Sequence, residues 1–438
     1  DVAPPDDPAV AREAQEIRAA IARADAARMA GRYADGLELA EPLLPRARAL
    51  GHAPVVAEVA RVLGMLYERD AKSELAFERL DEALWAAIES GYDLEHAQAL
   101  LSLVTLEADR HPDGIALRHA RQARAVLDKL GRPPELMALL HMNIGTAHAR
   151  RREWDEAEAG YREAIELAGD LPQAQTTKLS ALGNLATILG RRGRYEEALR
   201  VNEDSRQLGV ALLGPRHPNV AKLLHNYGNT LLEAGRATDA IEMMKEAQAV
   251  LEGSMGPRHP EVARTISNIG FAYRLRRDWP KTLEHAQQAL ELKRESLGPD
   301  HPSVAISANN VAEALYHTGR PREALVEYEE ALRIFGDAPE RIYVQGGYAL
   351  ALMAVGREEE GRAAAEAVLA GVEGLEASEL DRGRIDFEVA QTLGQVAGQE
   401  ARAEELARRA RASVAAAEGD MGTELAEIDQ WLAEHADR

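Results

Sequence analysis

LGPRHPNVA at Leu213–Ala221 returns as MGPRHPEVA at Met255–Ala263 and as LGPDHPSVA at Leu297–Ala305. Their prolines Pro215, Pro257 and Pro299 stand 42 residues apart, so the chain is built by repetition. A unit of that length cannot enclose its own apolar face and buries it by stacking on neighbours, which predicts a solenoid with an extended concave surface. Binding is the ordinary use of such a surface.

Working outward from the connector, the same skeleton recurs along the chain: an apolar pair, a glycine-containing turn, a small residue, and a further small or apolar residue seven positions on. The first small position is Gly36, Ala76, Ala116, Ala157, Ala198, Ala240, Thr282, Ala324, Gly361 and Ala403, at intervals of 37 to 42. Small side chains let two helices cross closely, near roughly 8 Å between axes. Two helical turns further lie Leu43, Ala83, Ala123, Ala164, Ser205, Ala247, Ala289, Ala331, Val368 and Ala410. Turn strings such as GRRGRY from Gly190 and EAGRA from Glu233 separate the helices, glycine supplying positive φ after a helix end. Each unit therefore reads as a helix-turn-helix hairpin.

Composition fits this reading. The 438 residues are rich in Ala, Leu, Glu and Arg with only 4 Phe and 4 Trp, which favours an all-α fold. The net charge of −21 repels nucleic-acid phosphate and anionic lipid, so neither nucleic acid nor membrane is expected as a partner. Zero cysteine excludes disulfides, thiolate nucleophiles and Cys-ligated metals, and fits a cytoplasmic setting. No apolar stretch is long enough to span a bilayer. The opening DVAPPDDPAV has linker character and no initiator methionine, from which a longer polypeptide with a fused catalytic domain upstream is expected.

In units such as ILGRRGRYEEAL and ALYHTGRPREAL the residues resemble the tetratricopeptide repeat. The longer period and the LGPxHPxVA connector resemble its kinesin-light-chain subtype, and the opening units are similar to the arm of myxobacterial serine/threonine kinases. The resemblance implies an all-α, right-handed superhelical solenoid of about ten hairpins with a C-terminal capping helix. The expected divisions are a linker at 1–11, divergent units at 12–133, kinesin-light-chain-like units at 134–335, divergent units at 336–418 and the capping helix at 419–438.

The connector prolines Pro218, Pro260 and Pro302 suit the first turn of a helix, where no backbone donor is lost. His217, His259 and His301 beside them invite a metal reading. Equivalent residues of successive units stand about 10 Å or more apart, however, and zinc needs ligands at about 2 Å, so capping is the expectation and no metal is assigned. Tyr161, Tyr195, Tyr227, Tyr273 and Tyr328, with Trp154 and Trp279, fall at core-packing slots and receive no functional role.

One slot stands out. The residue before the apolar pair of the first helix is Asn143, Asn184, Asn226, Asn268 and Asn310 in five successive units, spaced 41, 42, 42 and 42. Asn is a poor helix former, so a mid-helix run calls for an offsetting gain. A carboxamide donates and accepts, matching the main chain of an extended peptide without reading its side chains. The other reading is that each Asn tethers one hairpin to the next. Peptide-binding tetratricopeptide domains use Asn at this motif position on the ligand backbone, and the resemblance implies that role for these five residues. Lys222 and Arg264 lie one helical turn before Asn226 and Asn268, forming a basic strip that by the same resemblance favours an acidic or C-terminal ligand. The match is partial, because Leu139, Ser180 and Ile306 fill the corresponding slots elsewhere.

No HExxH, GxSxG, P-loop or kinase-type string is present, and no pair of carboxylates is singled out as buried or coupled. The expectation is a non-enzymatic scaffold without cofactors that holds a protein or peptide in its groove, as the regulatory arm of a larger, bacterial-looking signalling protein. Two alternatives stay open: a structural scaffold that self-associates without a groove ligand, and a receptor for a short signalling peptide.

Overall fold

The computed structural model describes Pro5 and residues 7–111, 114–372, 377–417 and 421–435. Among the described residues there is no strand. Most of the opening stretch and both ends of the 419–438 segment lie outside them. The chain divides into two compact units, Asp1–Leu189 and Gly190–Arg438.

The first unit holds α1 (Pro8–Met29), α2 (Tyr33–Ala40), α3 (Leu43–Leu50), α4 (Ala53–Arg69), α5 (Ser73–Glu89), α6 (Asp93–Arg110), α7 (Ile115–Lys129), α8 (Pro134–Arg150), α9 (Trp154–Ala168) and all but the last turn of α10 (Gln175–Arg191). Residues 8–11, given to a linker on composition, are helical. The Asp7 carboxylate accepts from the Ala9 N–H at 2.7 Å, and Pro8 starts the helix, so a Pro- and Asp-rich string is here a helix start.

The second unit holds α11 (Tyr195–Leu213), α12 (Pro218–Glu233), α13 (Ala237–Met255), α14 (Pro260–Leu275), α15 (Trp279–Leu297), α16 (Pro302–His317), α17 (Pro321–Phe335), α18 (Ile342–Ala354), α19 (Glu358–Val372), α20 (Glu379–Leu393), α21 (Glu400–Ala416) and α22 (Gly422–His435). Within it α12/α13, α14/α15, α16/α17, α18/α19 and α20/α21 pack as consecutive antiparallel hairpins.

Burial follows the repeat. All twenty small or apolar marker positions, from Gly36 to Ala410, are buried. Close crossing is the reason: a Cβ added at Gly36 would meet the Leu66 side chain at 2.6 Å. Tyr161, Tyr273 and Tyr328 are buried in the core, whereas Tyr195 and Tyr227 are half-buried. The connector histidines cap: Nδ1 of His217, His259 and His301 accepts the N–H of Asn219, Glu261 and Ser303 at 3.1, 3.2 and 3.0 Å, and the following proline occupies the first helical turn. Among the described residues no helix is long and apolar enough to cross a membrane.

Candidate functional site

The asparagines separate by environment. In the first unit Asn143 is buried, and its Nδ2 donates to the Leu101 carbonyl of α6 at 2.9 Å, which is the inter-hairpin tether. Asn184, on α10, is half-buried and shares the Tyr161 hydroxyl, which also donates to Thr146 Oγ1 at 3.3 Å.

In the second unit Asn268 Nδ2 lies 3.1 Å from His225 Nε2 and 3.3 Å from Asn229 Oδ1, both on α12. His225 Nε2 is also 2.7 Å from Arg264 Nη1. Burial, with Arg264 beside it, pushes the His225 pKa down to about 4, so the ring is neutral and that nitrogen is free to accept. Arg264 is further held by Glu261 at 2.5 Å. Asn226 is exposed, Lys222 is exposed one turn before it, and Asn310 is half-buried beside a crevice of about 20 Å³ with Ser267 and Ser307. Among the described residues the carboxamides of Asn226 and Asn310 make no hydrogen bond.

A more spacious hollow than that crevice lies elsewhere. A cavity of about 510 Å³ opens within the second unit, lined from the C-terminal halves of α12, α14 and α16 and from α18, α20 and α22. None of the seven residues expected from sequence lines it. Its charged wall includes Arg274, which donates from Nη1 to Glu313 at 2.7 and 3.0 Å, Arg384, which donates to Glu424 at 2.7 and 3.2 Å, and Arg277, which pairs with Glu427, together with Glu233, Arg276 and Glu388, whose side chains make no ion pair among the described residues. Its apolar wall includes Phe271, Tyr316, Leu350 and Phe387. Trp279 stacks on His317 with ring centroids 3.8 Å apart.

Two helices explain the shape. In α18 the pair Gly346-Gly347 sits mid-helix, where each glycine costs about 1 kcal/mol relative to alanine. Side-chain ends approach the bare helix at both: a Cβ at Gly346 would fall 2.0 Å from Glu388 Oε2, and one at Gly347 would fall 2.3 Å from the Tyr328 hydroxyl, so either substitution would make those groups shift. Helix α22 then forms a side of the cavity instead of only covering the end of the stack. Ile428 is buried against α20 and α21, Trp431 meets Phe387 edge-on at 6.2 Å, and Glu427 reaches Arg277. Arg277 itself holds a left-handed φ of 54°, at the turn position that Gly193, Gly235 and Gly319 fill in neighbouring units.

Glu388 is the perturbed group. Burial first, then the negative charge of Glu313, pushes its carboxyl up to about 8, against the opposing pull of Arg274 and Arg384. The Tyr328 hydroxyl is raised for the same two reasons, burial and nearby carboxylates. The cavity residues were missed because each charge, taken singly on an acidic helical chain, reads as solvated. The available signal was the glycine pair, with Gly347 standing in the slot that Asn fills in five earlier units.

The tetratricopeptide-repeat family profile matches residues 177–253 and 261–337. Those two stretches carry tetratricopeptide repeats. A search of curated proteins finds no match. The chain is similar to the apo form of RapI with a TM-score of 0.64 at 13% identity, over 83% of this chain and 99% of that one, a likeness of fold. A putative kinesin light chain from Podospora anserina, with nearly identical TPR-like repeats, is similar at 22% identity and TM-score 0.41, over 44% of this chain and 94% of that one. BtubC (BKLC) from P. vanneervenii is similar at 19% identity and TM-score 0.44, over 53% and 90%.

Proposed function

We propose that this tetratricopeptide scaffold binds an extended protein or peptide segment, and that the second unit grips its main chain through Asn226 and Asn310, with Asn268 as a partly engaged neighbour and Lys222 and Arg264 supplying positive charge. The observation that carries the reading is the pair of unpartnered carboxamides one repeat on either side of Asn268, on the first helices of their hairpins. A mid-helix Asn with no internal bond costs helix propensity, and an external main chain would satisfy both its donor and its acceptor. Asn143 serves in this reading as a tether, since its amide is spent on Leu101.

The test is binding of an unbiased extended-peptide library to the full chain. Asn226→Ala with Asn310→Ala is expected to weaken all captured peptides alike, by about tenfold or more, because the carboxamides read backbone and not side chains. Far-UV circular dichroism should stay unchanged. Capture that is undiminished in the double variant would refute the carboxamide grip.

A further inference from the structure

We propose that the cavity of the second unit is a binding site for a ligand bearing one amine or guanidinium group on an apolar body, with Glu388 as the carboxylate that receives the cation. The charge pairing of the wall argues for this. Arg274, Arg384 and Arg277 are each committed to a carboxylate, Glu313, Glu424 and Glu427 respectively. The Glu388 carboxyl has no hydrogen bond or ion pair among the described residues, and it lies against the bare backbone of Gly346 in the cavity lining. An entering anion would find Arg274, Arg277 and Arg384 occupied, with only the exposed Arg276 unpaired among the described residues of the lining, and two carboxyls, Glu388 and Glu313, facing it. An entering cation finds two lining acids without a partner among the described residues, Glu233, which is exposed, and Glu388, which packs against α18.

The rest of the lining suits a compact apolar body. Phe271, Phe387, Tyr316 and Leu350 offer aromatic and aliphatic surface, and aromatic faces also attract a desolvated cation, as Arg274 over the Phe271 ring already shows. At about 510 Å³ the hollow falls in the range of small-ligand sites, roughly 300–1,000 Å³. The groups facing Glu388 are Arg274 from α14, Glu313 from α16, Tyr328 from α17 and Arg384 on its own helix. With burial and Glu313 holding a proton on Glu388 at neutral pH, a bound cation takes the proton's place and expels it. The inference does not rest on the carboxamide grip, whose residues lie outside the cavity.

The experiment is calorimetric titration of the full chain at neutral pH with benzamidine and its neutral counterpart benzamide, at millimolar concentration. Benzamidine is expected to bind at least about tenfold more tightly. Glu388→Gln, which keeps the shape of the side chain, should erase that preference while far-UV circular dichroism is unchanged. Heats compared in phosphate and Tris give a reading independent of any variant, with close to one proton released per benzamidine bound. Equal affinity for the two probes, absence of binding, no proton release, or a preference that survives Glu388→Gln would each overturn the proposal. Two further probes distinguish the source of the cation: acetyl-Ala-Arg-Ala-amide preferred over acetyl-Ala-Gln-Ala-amide supports a peptide side chain, and binding of benzamidine without either peptide supports a free small molecule. Because peptide capture by the asparagines uses other residues, its failure would leave this outcome untouched.

Discussion

Within the second unit, the hairpins that carry the repeated connector, α12 to α17, and those that follow, α18 to α21, are built on the same marker residues and differ in what faces inward. The connector hairpins repeat their caps and their carboxamides at a fixed interval, and their cores close around residues such as Val220, Leu224 and Ile266. The later hairpins lose the Asn, replace it with Gly347 and Val389, and leave room that Tyr328, Glu388 and α22 fill only in part. The hollow forms where the later hairpins and α22, which break the pattern, meet the C-terminal halves of α12, α14 and α16.

That contrast can be broken first by truncation. Ile266 is fully buried among Leu224, Val262, Ala247 and Ala289, so Ile266→Ala should destabilise the chain by about 2–5 kcal/mol. Leu350→Ala, which enlarges a space already present, should cost clearly less, since fewer packed contacts are lost on its open side. Chemical denaturation of both variants checks this, and equal losses would mean that the cavity wall is as tightly packed as the connector core.

The second test is pH. Glu388 titrates at about 8 in the folded chain and near the ordinary glutamate value when unfolded. Between those values the folded state holds a proton that the unfolded state has released, so the stability contributed by Glu388 is full in acid and falls as pH rises through about 8. Glu388→Gln lacks that loss. Discounted for water in the cavity, the variant should gain about 2–3 kcal/mol over the natural chain at alkaline pH and little in acid. Parallel stability curves against pH would show that Glu388 is ordinarily solvated.

A third, smaller effect lies in the connectors. His259→Ala removes the acceptor of the Glu261 N–H and should cost about 1 kcal/mol, with His259→Ser or His259→Asp restoring most of it. A thermal-melt series on these variants decides between a cap and mere packing.

The fold was legible because it is written many times. Ten alignable copies of one small-residue pair, each needed for helix crossing, place the hairpins from Gly36 to Ala410 with no three-dimensional information. The caps were legible for the same reason, a His-Pro pair at a helix start three times over. The cavity was not, because its chemistry depends on residues used once. Arg274 meets Glu313 from the next hairpin, Arg384 meets Glu424 from the last helix, and Arg277 meets Glu427 across 150 positions of sequence. No local pattern encodes such pairings. Nor could the sequence tell the asparagines apart, since the Leu101 carbonyl that consumes Asn143 has no counterpart visible in the spacing.

The smallest effect is the sharpest test of that last point. Asn143 and Asn226 occupy the same repeat slot, yet one is buried with its amide bonded and the other is exposed without a bond. Asn143→Ala removes one bond to a carbonyl that Thr105 still serves, and should cost about 1 kcal/mol. Asn226→Ala removes nothing internal and exchanges a poor helix former for the best one, so it should stabilise by about 0.5 kcal/mol while weakening peptide capture. Opposite signs at equivalent positions would be hard to reconcile with a uniform ladder of either kind. If Asn226→Ala destabilises the chain as Asn143→Ala does, the slot is structural throughout and the grip on a peptide must be sought on other residues. If both substitutions are silent in stability, the Leu101 bond is not a tether and the first unit regains a claim to the ligand.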